Sequence, residues 1–265
     1  MSKNHSNAPE TLFIGKNVIS LDSVDSTNRY AKDLLATKKP IEGTLVSAFD
    51  QTQGRGQLGN IWQAKAGENI TVSYILYPDF LLPNEQFYLN MAVSLAVREF
   101  CERFCKNSFV KWPNDIISGS KKLAGILIEN SLTFSAIQSS IIGIGVNINQ
   151  ENFGENLQRA TSFSLQNNGQ KFGIAELLPH LSAALEKYYF LLRQKEFSHL
   201  KALYLEALWR YNEKSFFKRN GELFEGTIYD ITQEGKLCIQ VDEKNEVTEH
   251  SRSEQFSFKE IEFAY

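Results

Sequence analysis

Two short clusters in this chain combine cations with a tryptophan, and both contain side chains suited to chemistry on a phosphate. The first is the glycine-rich segment at residues 54–62, which includes Arg55, and the second is the Lys-Trp-Pro-Asn-Asp run at 111–115. Glycine lets backbone amides approach a phosphate, and arginine and lysine neutralise its charge. A third cluster, at 121–127, begins with two lysines. We expect a nucleotide site in which both tryptophans are exposed and one stacks on the purine.

The glycine-rich segment also matches the dinucleotide-binding fingerprint, Gly-x-Gly-x-x-Gly, and follows a predicted strand. That fold requires a helix directly after the glycines. Residues 60–69 are too few and lack a helical apolar stripe, so we predict a loop that connects two strands instead. A kinase glycine-rich loop also joins two strands, but the sequence has no His-Arg-Asp and no Asp-Phe-Gly motif.

Each cluster, taken singly, also has a purely structural interpretation. The glycines fit a hairpin with a solvated arginine, Pro113 fits a turn, and the lysine pair fits a solvated strand end. Residues 25–28 resemble a helix N-cap, and the glycines of 143–147 resemble a closely packed strand. The order of all five segments in one chain favours a functional site.

Composition limits the classes of protein to which this chain can belong. With 265 residues, 42% of them hydrophobic, it can bury a large core without disulfides or metals. A net charge of -3 argues against nucleic acid as the main partner, because such proteins usually carry a basic surplus. Three cysteines do not form a disulfide framework, so we expect reduced thiols in a cytoplasmic protein.

The ends of the chain differ in character from its middle. Residues 1–12 form a polar lead without an apolar signal core, which we predict to be flexible, and no apolar run approaches the length of a membrane span. From about residue 216, short β-like runs alternate with polar turns, which predicts a small β barrel or sandwich. Periodicity predicts strands at 44–49, 70–77, 126–129, 141–148, 223–229, 236–241, 246–250 and 256–263, and helices at 28–35, 87–104, 174–192 and 197–209.

The five segments in this order closely resemble the biotin protein ligases, also called biotin–[acetyl-CoA-carboxylase] ligases. The resemblance runs from about residue 15 to the end of the chain. It implies an α+β fold, with a mixed β-sheet flanked by helices as in class II aminoacyl-tRNA synthetases. The catalytic domain is expected at 13–214 and an SH3-like β domain at 215–265. The short polar lead leaves no room for the DNA-binding winged helix of many relatives, so an enzyme-only form is expected.

The activity implied by the resemblance has two steps. The carboxylate of biotin attacks the α-phosphorus of ATP to give biotinyl-5'-AMP, and the amine of a carrier-domain lysine then attacks this mixed anhydride. The implied substrates are ATP and biotin, with Mg²⁺ as the counterion of the triphosphate. The implied partner is the biotin carboxyl-carrier domain of a biotin-dependent carboxylase, and neither DNA nor a membrane is expected. The sequence is also compatible with a homodimer paired through a sheet edge.

The resemblance assigns roles to residues of this chain by their position in the motifs. The catalytic residues it implies are Lys122, Arg55, Lys111 and Asp115, and Asp115 is also the one candidate for holding a metal. The biotin site it implies comprises Ser26, Thr27, Asn28, Gln51, Gly56, Gln57, Leu58, Lys122 and Gly125. The nucleotide site it implies comprises Arg55, Trp62, which covers the adenine, Lys111, Asn114 and Asn147.

The glycine-rich loop departs from the family at one point. Gln57, Leu58 and Asn60 stand where many members have further arginines, so Arg55 is the sole cation there. Two alternatives stay open at this stage. A lipoate ligase on the same scaffold would need a longer apolar tunnel, and a noncatalytic protein-binding relative would not need Lys111 and Lys122.

Overall fold

The computed structural model describes residues 10–244 and 249–265, without the side chains of residues 58, 156, 243–244 and 249–250. The first sheet consists of β1 (Val18–Val24), β2 (Thr44–Gln51), β3 (Asn69–Leu76), β4 (Ser108–Lys111), β5 (Asp115–Ser118), β6 (Lys121–Leu132) and β7 (Ile137–Asn147). The helices are α1 (Thr27–Thr37), α2 (Gln86–Glu102), α3 (Phe163–Gln166), α4 (Ile174–Arg193) and α5 (Phe197–Ala207). The second sheet consists of β8 (Lys214–Arg219), β9 (Glu222–Ile231), β10 (Leu237–Lys244), β11 (Glu249–Phe256) and β12 (Glu262–Phe263).

The first sheet has seven strands in the order β1-β2-β3-β7-β6-β5-β4. Strands β1 and β2 run parallel, and the other neighbouring pairs are antiparallel, which confirms the predicted mixed sheet. Strand β3 is buried at all eight positions because it lies near the middle of the sheet with both faces covered. The sequence prediction missed β1, β4 and β5. Strand β1 is an edge strand with polar residues at many positions, and the other two have only four residues each.

Helices α2, α4 and α5 cover one face of this sheet. The apolar side of α2 supplies Leu89, Val93, Val97 and Phe100, all fully buried. These residues belong to a single continuous core that also contains Tyr74 of β3. Full burial of each such side chain stabilises the fold by about 1.5–3 kcal/mol. The predicted helices 87–104 and 174–192 are therefore confirmed, and they fix the position of the sheet.

The opposite face of the sheet is only partly covered. Helix α1 packs Ala31 against Val46, Ile75 and Ile141 in a second, small cluster. The remainder of this face, next to the N-terminus of α1, has no helix over it in the described part of the chain. The C-terminal ends of β2 and β7 and the middle of β6 are therefore left open to a ligand.

The second sheet has five strands in the order β11-β10-β9-β8-β12, which confirms a small C-terminal β domain. It begins at Lys214, one residue before the predicted boundary. Its SH3-like nature stays a prediction. The predicted strand at 256–263 is wrong as one continuous element, because β11 ends at Phe256 and pairing resumes with a single bridge between Phe258 and Ile261 and with the short β12 at Glu262–Phe263. The predicted strand at 246–250 lies mostly outside the described residues.

Residues 1–9 of the predicted flexible lead also lie outside the described residues. The end of that lead is bound to the rest of the fold, because the backbone amide of Leu12 donates a hydrogen bond to the Glu186 carboxylate at 2.7 Å. The amides of Phe13 and Ile14 donate to the same carboxylate at 2.8 and 3.0 Å. Three such bonds satisfy a carboxylate that is almost fully buried within α4.

The cysteines carry free thiols, as expected from the sequence. Cys101, in the last turn of α2, and Cys105, just after the helix, are both buried in the core. Burial raises the pKa of the Cys105 thiol to about 12, so the reactive thiolate is scarce at neutral pH. Among the described residues, no helix is both long enough and apolar enough to span a bilayer.

Candidate active site

A cavity of about 560 Å³ opens on the uncovered face of the first sheet, next to the N-terminus of α1. Arg55, Lys111 and Lys122 all line it, although they come from three separate stretches of the chain. A volume of this size lies within the range of small-molecule sites. The three cations that the sequence singled out therefore surround one space.

The floor of the cavity is a row of residues that pair across four strands. Asp115 of β5 pairs with Gly125 of β6, Gly125 pairs with Gly145 of β7, and Gly145 pairs with Thr71 of β3. The Trp62 indole lies over the two glycines. A Cβ atom on Gly145 would lie 2.2 Å from its Cε2 atom, and one on Gly125 would lie 3.0 Å from its Cζ3 atom. Only glycine at these positions lets a flat ring rest on the sheet.

The polar end of the cavity is formed where α1 begins. Ser26 is the N-cap residue, but its side chain makes no capping hydrogen bond, although it is only 2% exposed. The amide of Thr27 donates to Gln51 Oε1 at 2.9 Å, which orients the Gln51 side chain. Ser26, Thr27 and Gln51 all line the cavity. An N-cap hydroxyl that does not cap its own helix remains available to a ligand.

A buried hydrogen-bonded network lies directly behind this polar end. Ser73 of β3 is within hydrogen-bond distance of both Asn28 and Thr27, at 2.6 and 2.8 Å. Asn28 Nδ2 donates in turn to Glu129 Oε2 of β6 at 2.7 Å. No sequence motif singles out Ser73 or Glu129. Both residues lie in strands where polar and apolar residues alternate. That pattern does not distinguish a member of a hydrogen-bonded network from an ordinary polar residue.

The glycine-rich loop is closed by its own backbone bonds. The amide of Trp62 donates to Gly54 O at 2.9 Å, and the amide of Gly56 donates to Asn60 O at 2.7 Å. Gly59, at the turn, has a φ of 83°, a conformation that favours glycine. As predicted, the loop joins two strands, β2 and β3, and contains only a 3₁₀ turn at Gln57–Gly59.

The side chains of this loop reach the cavity to different degrees. Arg55 is about half exposed, and its guanidinium lies 3.8 Å from the Glu129 carboxylate. Gly56, Gln57 and Asn60 also line the cavity. The predicted ligand contact of Leu58 concerns a side chain outside the described part of the structure. Arg55 therefore keeps a position from which a bound anion can draw it inward.

A β-bulge puts Lys122 on the cavity side of β6. Asp115 pairs with Gly125 and Ile116 with Ala124, but Ile117 then pairs with Lys122, so Leu123 is left as the extra residue. The shift turns the Lys122 side chain onto the same face as Asp115. Its ammonium group lies 2.7 Å from Asp115 Oδ1 and 5.7 Å from the Trp62 ring centre.

Lys111 enters the cavity at its other end, where the C-terminal domain forms the wall. Its ammonium group lies 5.5 Å from the ring centre of Phe263 and 5.3 Å from that of Tyr265. The Arg159 guanidinium stacks on the same Tyr265 ring at 3.4 Å. The rings therefore hold a cluster of positive charge by cation–π attraction. Further residues of this wall are Phe258, Lys259, Ile261 and Glu262.

Comparisons with known proteins show the family of this chain. A family model described as the biotin/lipoate A/B protein ligase family matches residues 20–147. The bifunctional ligase/repressor BirA of Bacillus spizizenii is 31% identical over 237 residues, which cover 88% of this chain and 72% of the relative. The chain belongs to the biotin protein ligase family.

Two further relatives support this membership. The biotin–[acetyl-CoA-carboxylase] ligase of Mycobacterium tuberculosis is 32% identical over 137 residues, or 49% of this chain and 50% of the relative. The solved biotin protein ligase from Aquifex aeolicus in complex with biotin and ATP has a TM-score of 0.73 at 25% identity, and the match covers 94% of this chain and 100% of that one. The predictions of a ligase enzyme and of its fold are thereby confirmed.

One expectation about the site is wrong. Trp112 is not exposed, because only 5% of it is accessible and its Nε1 donates to Gly235 O of the C-terminal domain at 2.9 Å. Its ring also packs edge-on against Phe258. The side chain therefore joins the two domains instead of stacking on a base. Nothing in the sequence indicated this contact, since Gly235 lies far along the chain.

The two asparagines predicted for the nucleotide site are both engaged by the protein itself. Asn114 lines the cavity, and its Nδ2 donates to Ile126 O at 2.6 Å. Asn147 is 4% exposed, and its Nδ2 donates to Thr161 O at 2.9 Å. Asn147 is not among the residues that form the cavity wall within the described ranges. The structure thus places it beside the site, where it secures the segment that follows Arg159.

The described residues contain no group of three or more histidine, cysteine or acidic side chains that would hold a metal. Asp115, the predicted metal candidate, is already paired with the Lys122 ammonium group. Magnesium at nucleotide sites is held by one or two carboxylates together with substrate phosphates and waters, so Asp115 would have to leave Lys122 to serve as a ligand. No step below therefore depends on a protein-bound metal.

Proposed function

We propose that this protein activates biotin with ATP as biotinyl-5'-AMP and transfers the biotin to a lysine of a carboxylase carrier domain. The observation that carries the proposal is the convergence of Arg55, Lys111 and Lys122 on a cavity whose other end is polar and neutral. A carboxylate and a triphosphate repel each other. A site that brings both together therefore needs several cations around one space.

The neutral end suits the ring of biotin. Ser26, Thr27 and Gln51 provide hydroxyl and amide groups for the ureido function. The edge of the Trp62 ring, which rests on the glycine floor and keeps its free face for adenine, provides apolar contact for the fused rings. The valeryl chain then runs along the sheet towards Lys122. In this orientation the carboxylate of biotin meets the charged end of the cavity.

In the first step, a carboxylate oxygen attacks the α-phosphorus of ATP, and the bond to the bridging oxygen of pyrophosphate breaks. Negative charge develops on the α-phosphoryl oxygens as the two anions approach. Lys122 neutralises this charge from the floor, while Lys111, held against Tyr265, faces the departing pyrophosphate. Arg55 closes over the adenylate from the loop, and we retain adenine stacking as the role of Trp62.

In the second step, the amine of the carrier lysine attacks the acyl carbon of the mixed anhydride, the bond to the AMP oxygen breaks, and a proton leaves the nitrogen. Asp115 is the acidic group closest to Lys122, at 2.7 Å, and its side chain is about one-fifth exposed. A carboxylate there attracts the incoming ammonium group and accepts its proton. The partner is a carrier domain of a biotin-dependent carboxylase, and we propose a cytoplasmic location for the reaction.

The direct test uses purified protein, ATP, magnesium, radiolabelled biotin and a carrier domain. We expect covalent label on one carrier lysine, lost when that lysine is replaced by arginine. The same assay with labelled lipoate distinguishes a lipoate ligase, and absence of label with either acid indicates a noncatalytic relative. Label on lipoate but not biotin would contradict the proposal.

A further inference from the structure

We infer that Arg159 is a positioning residue for Lys122. Its backbone binds the lysine at the edge of the sheet, while its side chain is held by Tyr265 of the C-terminal domain. This inference rests on the proposed biotin ligase function and adds a residue that affects the rate of its first step. Arg159 is not among the residues that form the cavity wall within the described ranges. It therefore acts through Lys122, not by contact with a substrate.

Lys122 lies at a point where the sheet gives it little support. The pairing of β6 with β7 begins only at Ala124, opposite Val146, so β7 does not reach Lys122. The register shift at Leu123 also interrupts the regular pairing of β6 with β5. A bulge of this kind locally disrupts the ladder of hydrogen bonds. The backbone of Lys122 therefore depends on a partner from another part of the chain.

The segment at residues 159–161 is that partner. The amide of Lys122 donates to Arg159 O at 2.6 Å, and the amide of Thr161 donates to Lys122 O at 2.8 Å. Together they form an isolated parallel bridge in which Ala160 faces Lys122. Both backbone groups of the lysine are satisfied in this way. The segment thus fixes the direction in which the Lys122 side chain leaves the sheet.

The 159–161 segment is held at both of its ends. At the C-terminal end, Thr161 is buried, its carbonyl accepts from Asn147 Nδ2 at 2.9 Å, and its hydroxyl accepts from Gln166 Nε2 at 2.9 Å. At the N-terminal end, the exposed Arg159 guanidinium lies 3.4 Å from the centre of the Tyr265 ring. A change at Arg159 therefore loosens one end of the segment and leaves the buried hydrogen bonds at the other end intact.

The Tyr265 ring is itself fixed in place. It packs against the Trp209 ring, with ring centres 5.4 Å apart. The Trp209 amide donates to Val110 O of β4 at 2.8 Å, so this pair of rings is anchored to the first sheet. Tyr265 therefore offers Arg159 a surface of fixed position, and through Arg159 it connects the C-terminal domain to Lys122.

Replacement of Arg159 with alanine tests this connection, because it removes the contact with Tyr265 and leaves the backbone bond to Lys122 without that support. We expect the maximal rate of adenylate formation, measured as pyrophosphate release in single-turnover experiments, to fall about tenfold, since a small displacement of a catalytic group slows a reaction strongly. The ATP concentration that gives half of this rate is expected to stay within about twofold. Arg159→Lys keeps a cation for the ring and is expected to restore most of the rate.

Two further variants separate this role from a direct contact with ATP and from a general disturbance of the segment. The Arg159→Ala/Lys122→Ala double variant is expected to be no slower than Lys122→Ala alone, because Arg159 acts through that lysine. Gln158→Ala is the matched control, since its side chain is also exposed and adjacent, but Lys122 bonds to Arg159 and Thr161 instead. It is expected to keep full activity. Thermal unfolding of each variant checks that the fold is retained.

Each outcome supports or overturns the inference. An unchanged rate in Arg159→Ala, or further slowing in the double variant, would overturn it and leave the ligase function intact. A higher ATP requirement at an unchanged maximal rate would also overturn it, because Arg159 would then bind the triphosphate directly. An equal loss in Gln158→Ala would do the same, since the contact with Tyr265 would not be what matters. Failure of the unaltered protein to form any adenylate would remove the proposed function, and this inference with it.

Discussion

The ammonium group of Lys122 lies 2.7 Å from a carboxylate oxygen of Asp115, although in a regular β ladder the two side chains would lie on opposite faces of the sheet. The bulge at Leu123 turns Lys122 into the cavity and leaves Lys121 exposed on the other face. Two adjacent lysines therefore have different environments. This difference supplies a control for the role of Lys122.

We expect Lys122→Ala to slow adenylate formation by about 10²–10³-fold, because one preorganised donor near developing charge has that effect. Pyrophosphate release in single-turnover experiments measures this step. Lys121→Ala changes the adjacent residue and is expected to keep nearly full activity. Similar losses in both variants would show that the general positive charge of the segment matters, not the position of Lys122.

Asp115→Asn is expected to slow biotin transfer to the carrier by about a hundredfold, because the proton acceptor is lost. The rate of adenylate formation is expected to fall less. The two half-reactions are measured separately, with transfer started from preformed biotinyl-5'-AMP. Because Asp115 also pairs with Lys122, a small effect on the first step is consistent with the structure. Equal loss in both half-reactions would argue for a structural role of Asp115.

Gly145→Ala is expected to displace the Trp62 indole, since the added Cβ would lie 2.2 Å from the ring. Overpacking of this kind destabilises the fold by about 1–3 kcal/mol. Because the displaced ring also intrudes on the cavity, we expect biotin affinity to fall about tenfold, which corresponds to about 1.4 kcal/mol. Gly125→Ala is the graded comparison, because its Cβ would lie 3.0 Å from the ring and needs only a small adjustment. Calorimetry measures the affinity of both variants for biotin. A larger loss of affinity in Gly125→Ala than in Gly145→Ala would contradict the assigned geometry.

Tyr265→Ala is expected to raise the KM for ATP about two- to fivefold, because the cation–π contact that holds Lys111 is lost. The KM for biotin is expected to stay unchanged, since the ring is at the other end of the cavity. Tyr265→Phe retains the aromatic face and serves as the control. An unaltered KM for ATP in Tyr265→Ala would mean that the C-terminal wall does not position this lysine.

The sequence predicted the parts of this molecule that depend on local pattern. The long apolar stripe of α2 and the β-branched runs of β3 and β7 are such signals, and the loop between β2 and β3 follows from the shortness of the segment after the glycines. The resemblance to a family assigned Arg55, Lys111 and Lys122 to one site, and the structure brings all three to one cavity.

The rest depends on contacts between residues distant in sequence. Burial of Trp112 requires the C-terminal domain to lie against it, and no local pattern indicates that Gly235 accepts its N–H. The bulge at Leu123 depends on the pairing of β5 with β6. The network from Glu129 to Thr27 combines residues of three elements, each of which resembles an ordinary polar position in its own segment.

We propose that one cavity holds a biotin carboxylate and ATP together within reach of the same cations. Biotin-dependent exchange of labelled pyrophosphate into ATP, measured without any carrier, tests it most directly. We expect exchange that requires biotin, is not supported by lipoate, and is nearly abolished in Lys122→Ala but not in Lys121→Ala. Exchange that is absent with biotin, or equal with lipoate, would contradict it.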